Sequence, residues 1–152
     1  MHQFFSVLIT SMLPISELRG SIPLAMGAYH WSIGQAFIVS VLGNLIPVIL
    51  ILLFLDPVAK FLGQHFNLAK RFFEWLFART RRKHSEKIEK WGEFALVIFV
   101  GIPLPMTGAW TGALLAFLFG IKFKRAIPLI FLGILMAGVI VTLLSVGVIS
   151  LV

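Results

Sequence analysis

The sequence predicts an all-α integral membrane protein organised as an inverted repeat, each half a re-entrant helical hairpin followed by a transmembrane helix, with an interfacial amphipathic helix between the halves. Three observations predict it. Hydrophobic residues make up 59% of the 152 and charged residues 12%, with a mean hydropathy of +1.01, whereas charged residues are about a quarter of a soluble domain. Two long apolar stretches are each interrupted by a Pro/Gly-rich motif, one from Leu13 to Pro23 and one from Gly101 to Gly112. In hydrocarbon every backbone N–H and C=O must be paired, so such breaks survive only when buried in protein or lining a wet cavity. Finally, Leu42-Gly43, Leu45, Ile49, Ile51 and Leu53 recur ninety positions on as Leu132-Gly133, Leu135, Val139, Val141 and Leu143, and Ala36 maps likewise to Ala126. The broken motifs correspond after a small offset, Pro14 to Pro103 and Gly20 to Gly108.

Taken in order, Phe4 to Ala28 is the first interrupted segment; without a basic n-region or an Ala-x-Ala-like site it reads as mature fold and not as a signal peptide. Tyr29 to Gly34 is a link with aromatics at interface depth, and Ile33 to Leu55 a clean span expected to stop at Asp56-Pro57. From Val58 to Ala78 phenylalanines and leucines alternate with Lys60, Gln64, His65, Lys70, Arg71 and Glu74, the pattern of a helix lying in the interface plane. Arg79 to Glu93 is a solvated charged connector, Phe94 to Gly120 the second interrupted segment, Ile121 to Arg125 a basic link and Ala126 to Val152 the last span. One membrane domain, 1–152, thus divides into a first repeat (1–56), a cytoplasmic amphipathic helix and basic connector (57–93) and a second repeat (94–152).

The charges select the layout. Were both broken segments to cross completely, the cations from Lys60 to Lys90 would face one side of the membrane and Lys122, Lys124 and Arg125 the other. If both return to the face they entered, all twelve fall on one side, which the positive-inside rule prefers. A hairpin plus one span makes a single net crossing, so the second half is inverted relative to the first. So few helices enclose a pathway poorly alone, which points to a homodimer.

Within the interrupted segments the ionisable residues are Glu17 and Arg19, and charges at membrane depth cost several kcal/mol or more unless paired or hydrated. Two readings stand: a fixed ion pair that ties the hairpin together, or a Glu17 carboxylate that exchanges a proton while Arg19 holds it or meets an anionic substrate group. On an extended turn bounded by Pro14 and Pro23, both side chains, with Ser21, face the cavity. The second motif offers no titratable group; its chemistry is carbonyls freed by Pro103 and Pro105, close approach at Gly101, Gly108 and Gly112, hydroxyls of Thr107 and Thr111 at helical i, i+4 spacing and the ring of Trp110. Helix packing through Gly108-x-x-x-Gly112 accounts for the same small residues. Asn44, polar and well inside a span, reaches the first hairpin or makes an interhelical hydrogen bond.

These motifs, Glu17 to Pro23 paired with Gly101 to Gly112, resemble the small multidrug export family of prokaryotes over essentially the whole chain. The layout of two re-entrant hairpins, each followed by a span, is also similar to the DedA (SNARE-associated, VTT) superfamily. The first resemblance implies export of small amphipathic compounds, and the second movement of an anionic lipid carrier such as undecaprenyl phosphate. The expectation is an inner-membrane transporter coupled to protons through Glu17, with a lipid-phosphate flippase and a membrane scaffold or accessory subunit as alternatives. Membrane lipids and a small amphipathic or lipid-phosphate substrate are the expected partners. No nucleic acid is expected, because the Arg79, Arg81, Arg82, Lys83 run beside an amphipathic helix suits anionic headgroups. His2, His30, His65 and His84 lack metal-ligand spacing, there is no cysteine, and no nucleophilic triad or phosphate loop occurs, so metal, cofactor and enzymatic chemistry are not expected.

Overall fold

The computed structural model describes residues 1–104 and 107–151, and at residues 77 and 80–92 the backbone alone. Every regular element among them is helical: α1 His2–Met12, α2 Glu17–Pro23 with a π-helical extension Leu24–Ala28, α3 Ile33–His65, α4 Asn67–Gly101, α5 Ala109–Leu118 and α6 Phe123–Ile149. Two of these, α3 and α6, are long and apolar enough to cross a membrane.

The first interruption is narrower than its proline and glycine content predicts. The helix is lost only between Leu13 and Ser16, where Ser16 Oγ donates to Thr10 O at 2.6 Å. Pro23 does not end α2. The helix runs on past the proline as a π-helical turn, in which Tyr29 N donates to Leu24 O at 3.3 Å. Asp56-Pro57 likewise fails to stop α3, and Asp56 and Lys60 pair at 2.8 Å on its exposed surface. The boundary falls at Phe66, which is extended at φ −130° and ψ 110°. The expected amphipathic helix is therefore two pieces, the end of α3 and the start of α4, and α4 continues through the connector into the second interrupted segment.

Side chains near the two ends of each interrupted segment touch. At one end of the molecule Trp31 Nε1 donates to Gln3 Oε1 at 3.4 Å, Tyr29 Oη to Ser6 Oγ at 3.1 Å, and Phe4 stacks on Trp31 at 6.5 Å between centroids. Residues from the start of α1 thus meet those that follow the π-helix. In the second half, Glu93 and Arg125 pair at 3.2 Å, bringing together residues on either side of that broken segment.

The packing of the halves corresponds. α1 lies on α2 and α3, α4 on α5 and α6; across the halves α2 packs on α6, α5 on α3, and α3 on α6. From residue 31 to 48, burial class matches that of residues 121 to 138 at every position except Val41, buried where Phe131 is half-buried. Ala36 and Ala126 are both fully buried. Gly43 and Gly133 occupy the same place in their halves: a Cβ on Gly43 would overlap the Ser11 hydroxyl beside Leu8, and one on Gly133 would stand 2.6 Å from Val100 Cβ and 2.9 Å from Val97 O. Leu8 and Ser11 lie 89 positions before Val97 and Val100, the offset that separates Pro14 from Pro103.

The core between the halves is formed by Leu18, Ile22, Val48, Leu96, Val100, Ile130 and Ile134, each at most 3% exposed. Outward lie Leu42, Leu53, Phe54, Leu132, Val139 and Leu143, all at least half exposed. Leucine and phenylalanine outside with serine and asparagine inside is the arrangement lipid favours, since hydrocarbon rewards an apolar exterior and polar groups need protein partners.

The two glycine contacts yield a stability prediction. Gly43→Val and Gly133→Val should each destabilise the fold by about 1–3 kcal/mol, the usual cost of overpacking. Gly34→Ala and Gly147→Ala, where an added Cβ meets nothing within 4 Å, should leave thermal unfolding of the detergent-solubilised protein unchanged.

Candidate functional site

The two broken motifs hold each other. Glu17 opens α2 at φ 43°, a left-handed conformation that costs a non-glycine residue about 1–2 kcal/mol. That conformation brings its carboxylate, 5% exposed, to the start of α5, where Oε1 accepts from Trp110 N at 3.2 Å and Oε2 from Ala109 N at 3.4 Å. The N-cap residue of α5 is Gly108 and offers no side chain. A residue ninety-two positions away therefore caps the helix and places negative charge on its positive end. Gly108 is required there: its φ is 149°, and any Cβ would overlap the Glu17 carboxylate.

Arg19 completes the crossing. Its Nη1 donates to Leu104 O, its Nη2 donates to Thr107 O at 3.1 Å, and the same Nη2 lies 4.0 Å from Glu17 Oε2. In return Trp110 Nε1 donates to Met12 O at 3.0 Å, satisfying a carbonyl at the end of α1. Freed carbonyls of one motif thus meet the donors of the other.

Several sequence expectations are corrected by this arrangement. Glu17 and Arg19 sit on a helix and not on an extended turn, and they stay close because the long Arg19 side chain reaches back. Thr107 and Thr111 are not one helical turn apart: Thr107 precedes α5 and Thr111 lies within it, half-buried. The Thr107 hydroxyl serves its own loop, with Ile102 O at 2.7 Å and Leu104 O at 2.9 Å as acceptors and Leu104 N donating to it at 3.1 Å. Among the glycines and prolines expected to break the hairpins, Pro14, Gly101, Pro103 and Gly108 stand at or beside the breaks. Gly20, Pro23 and Gly112 lie inside helices, where Gly20 allows close approach to Ser16 and Gly112 to Val100. Pro105 lies outside the described residues.

Asn44, 1% exposed, lines a small cleft with Glu17, Arg19, Pro103, Thr107 and Gly108, so this polar residue of the span does reach the first hairpin. Ser21 is fully buried on α2, one turn from Glu17. Ser40, fully buried on α3 one turn before Asn44, was not singled out from the sequence. The signal available was its i−4 spacing from Asn44 on an otherwise apolar helix. A second, larger feature is a groove of about 330 Å³ with Arg19, Pro23 and Pro103 on one side and Val141, Leu144, Ser145 and Val148 of α6 on the other.

Two helices long and apolar enough to cross a membrane, packed with a buried, cross-braced polar site, mark a helical protein of the membrane type. The chain belongs to the family described as "putative small multi-drug export protein", which matches residues 17–140, from Glu17 through the whole of the second motif. No curated protein and no solved structure matches it. The likeness to the DedA superfamily has no support in these comparisons.

The hydroxyl of Thr107 generates a prediction. Thr107→Val removes the loop's internal hydrogen bonds and should destabilise the protein by about 1–3 kcal/mol, whereas Thr107→Ser should restore wild-type thermal unfolding. If Thr107→Val is as stable as wild type, the hydroxyl does not organise the loop.

Proposed function

We propose that the chain is a proton-coupled exporter of small amphipathic compounds in the inner membrane, with two re-entrant hairpins arranged as an inverted repeat and Glu17 as the group that exchanges the proton. The observation that carries this reading is the Glu17 carboxylate against the Ala109 and Trp110 amides, a titratable group where the two broken segments meet. Protonation removes the negative charge from the α5 terminus and weakens the acceptor, loosening the contact between the halves. Transport then follows from alternation between a state in which Glu17 caps α5 and one in which it carries a proton.

The membrane arrangement draws on the same contacts. Gln3, Phe4 and Ser6 against Tyr29 and Trp31 support a first segment that returns to its face of origin, and Glu93 with Arg125 supports the same for the second. The Glu93–Arg125 pair also brings the end of the basic connector beside the basic link, consistent with both in the cytoplasm. A homodimer would shield the outer surfaces of the hairpins from lipid.

A second reading, a flippase for an anionic lipid carrier, is favoured by the groove beside α6, whose apolar wall suits an acyl or isoprenoid chain and which Arg19 also lines. Against it, the Arg19 guanidinium is committed to two carbonyls and its charge is offset by Glu17.

Two experiments test the proposal. Single cysteines in place of His30 and Lys122 in this cysteine-free chain should react with impermeant maleimide from opposite faces, His30 from outside and Lys122 from the cytoplasm; labelling of both from one face rules out the re-entrant layout. In proteoliposomes with an acid interior, the wild type should accumulate ethidium, and Glu17→Gln should lower the rate at least tenfold while remaining monodisperse. Full activity of Glu17→Gln with unchanged pH dependence would show the carboxylate to be structural. Failure to move ethidium together with movement of a labelled lipid phosphate would select the flippase.

A further inference from the structure

Among the described residues, three buried side-chain oxygens have no hydrogen-bond partner in the protein: Ser21 Oγ, Ser40 Oγ and Asn44 Oδ1. Each such group costs about 1–3 kcal/mol when left unsatisfied, so three together would consume much of the roughly 5–15 kcal/mol that stabilises a domain. They are also not scattered. Ser21 is one turn from Glu17 on α2, and Ser40 is one turn from Asn44 on α3.

The register of the two packed helices aligns them. The chain leaves α2 through the π-helix, turns at Tyr29 to Ser32 and returns along α3, so the helices run in opposite directions. Counting back from Tyr29, Ser21 lies eight residues away and Glu17 twelve; counting on from Ser32, Ser40 lies eight and Asn44 twelve. Contacts fix this alignment on both sides of the serines. Glu17 and Asn44 line the same cleft, while Ala25 and Ala36, one turn further toward the link, are packed together with Val7. Ser21 and Ser40 therefore share the level between, about 6 Å from each neighbouring layer at 1.5 Å rise per residue.

We propose that a short column of bound water occupies this seam between α2 and α3, satisfying Ser21, Ser40 and Asn44, and that it is the route by which protons reach Glu17 from the end of the molecule carrying Tyr29 to Trp31. The inference rests on the proton-coupled reading of Glu17. Water suits the seam because the oxygens lie on two levels, too far apart for one ion to bridge, and because internal waters typically make two to four hydrogen bonds to such groups. An apolar layer, Val7 with Ala25 and Ala36 and with Met26, Tyr29, Trp31 and Val39 packed against them, closes the column toward the link. Proton entry requires only that this layer part, a movement of the first hairpin against α3. The charged group facing Glu17 is Arg19; α3 presents Asn44, α4 Val100, α5 its backbone amides and α6 Ile134 and Ala137, so among the described residues no second titratable side chain offers a competing relay.

Two measurements test the column. X-ray-generated hydroxyl radicals modify side chains beside bound water, so Leu18, Ile22 or Val41, each at most 4% exposed, should be modified in the wild type in detergent. Modification should fall at least fivefold in the Ser21→Val/Ser40→Val double variant, whose methyl groups fill the seam. No modification in the wild type overturns the proposal, as does thermal stabilisation of the wild type by sodium over choline at equal ionic strength, which would assign the seam to a cation. In acid-interior proteoliposomes, Ser21→Ala/Ser40→Ala should slow ethidium accumulation about tenfold while sparing ethidium exchange at equal pH. If that variant accumulates ethidium at the wild-type rate while Glu17→Gln does not, the column is wrong and the coupling stands; if Glu17→Gln is also fully active, the coupling itself fails.

Discussion

The structure depends on one capping contact made at a distance. A helix that starts inside a membrane leaves N–H groups without partners, and in hydrocarbon each costs several kcal/mol. On the proposed re-entrant layout α5 starts in that position, and its own N-cap is a glycine. The acceptor comes from Glu17, whose left-handed backbone aims the carboxylate across the boundary between the halves. Its negative charge also reduces the desolvation cost of Arg19, whose guanidinium in turn binds the carbonyls of Leu104 and Thr107. Each broken motif is thus the solvent of the other, and neither can exist at membrane depth alone.

Comparison of equivalent positions shows how the halves have divided the work, on the reading that they descend from one repeat. At an offset of ninety residues Ser40 corresponds to Ile130 and Asn44 to Ile134; at 89, Ser11 corresponds to Val100; at 88, Ser21 corresponds to Ala109 and Arg19 to Thr107. Polar side chains gather in the first half, while the second supplies backbone amides and carbonyls. The scaffold stays alike, as the matched burial of α3 and α6 indicates, because glycine at 43 and 133 lets α1 and α4 press equally close. Such an asymmetric pair can hold a titratable group on one side and a preorganised set of dipoles on the other.

How far the sequence disclosed this varies with the kind of signal. Helical class and the two spans were legible because lipid imposes an apolar composition on any span. Glu17 and Arg19 stand out in the sequence as charges in apolar segments and Asn44 as a polar residue within a span, and all three line one cleft. The extent of each break was not legible. Pro23 and Pro57 read as stops by soluble-protein rules, yet tertiary packing supports a helix through both, by a π-turn in one case. The i, i+4 spacing of Thr107 and Thr111 fits one helix face, whereas Gly108 at φ 149° separates them. Side-chain to backbone contacts such as Trp110 with Met12 O leave no trace in sequence, since any residue can supply a carbonyl.

The charge balance at the crossing constrains what an exporter of this design can carry. With Glu17 ionised, the Glu17–Arg19 pair is neutral; with Glu17 protonated, the site bears the net positive charge of Arg19. A cationic substrate is then repelled by the protonated state and tolerated by the ionised one, so proton and cation compete for one site, which is the logic of exchange in opposite directions. An anionic substrate is favoured when Glu17 is protonated, so proton and anion would bind together and travel the same way. The same two residues therefore couple in opposite senses according to the sign of the cargo, and the direction in which a pH gradient drives transport reports that sign before the cargo itself is identified.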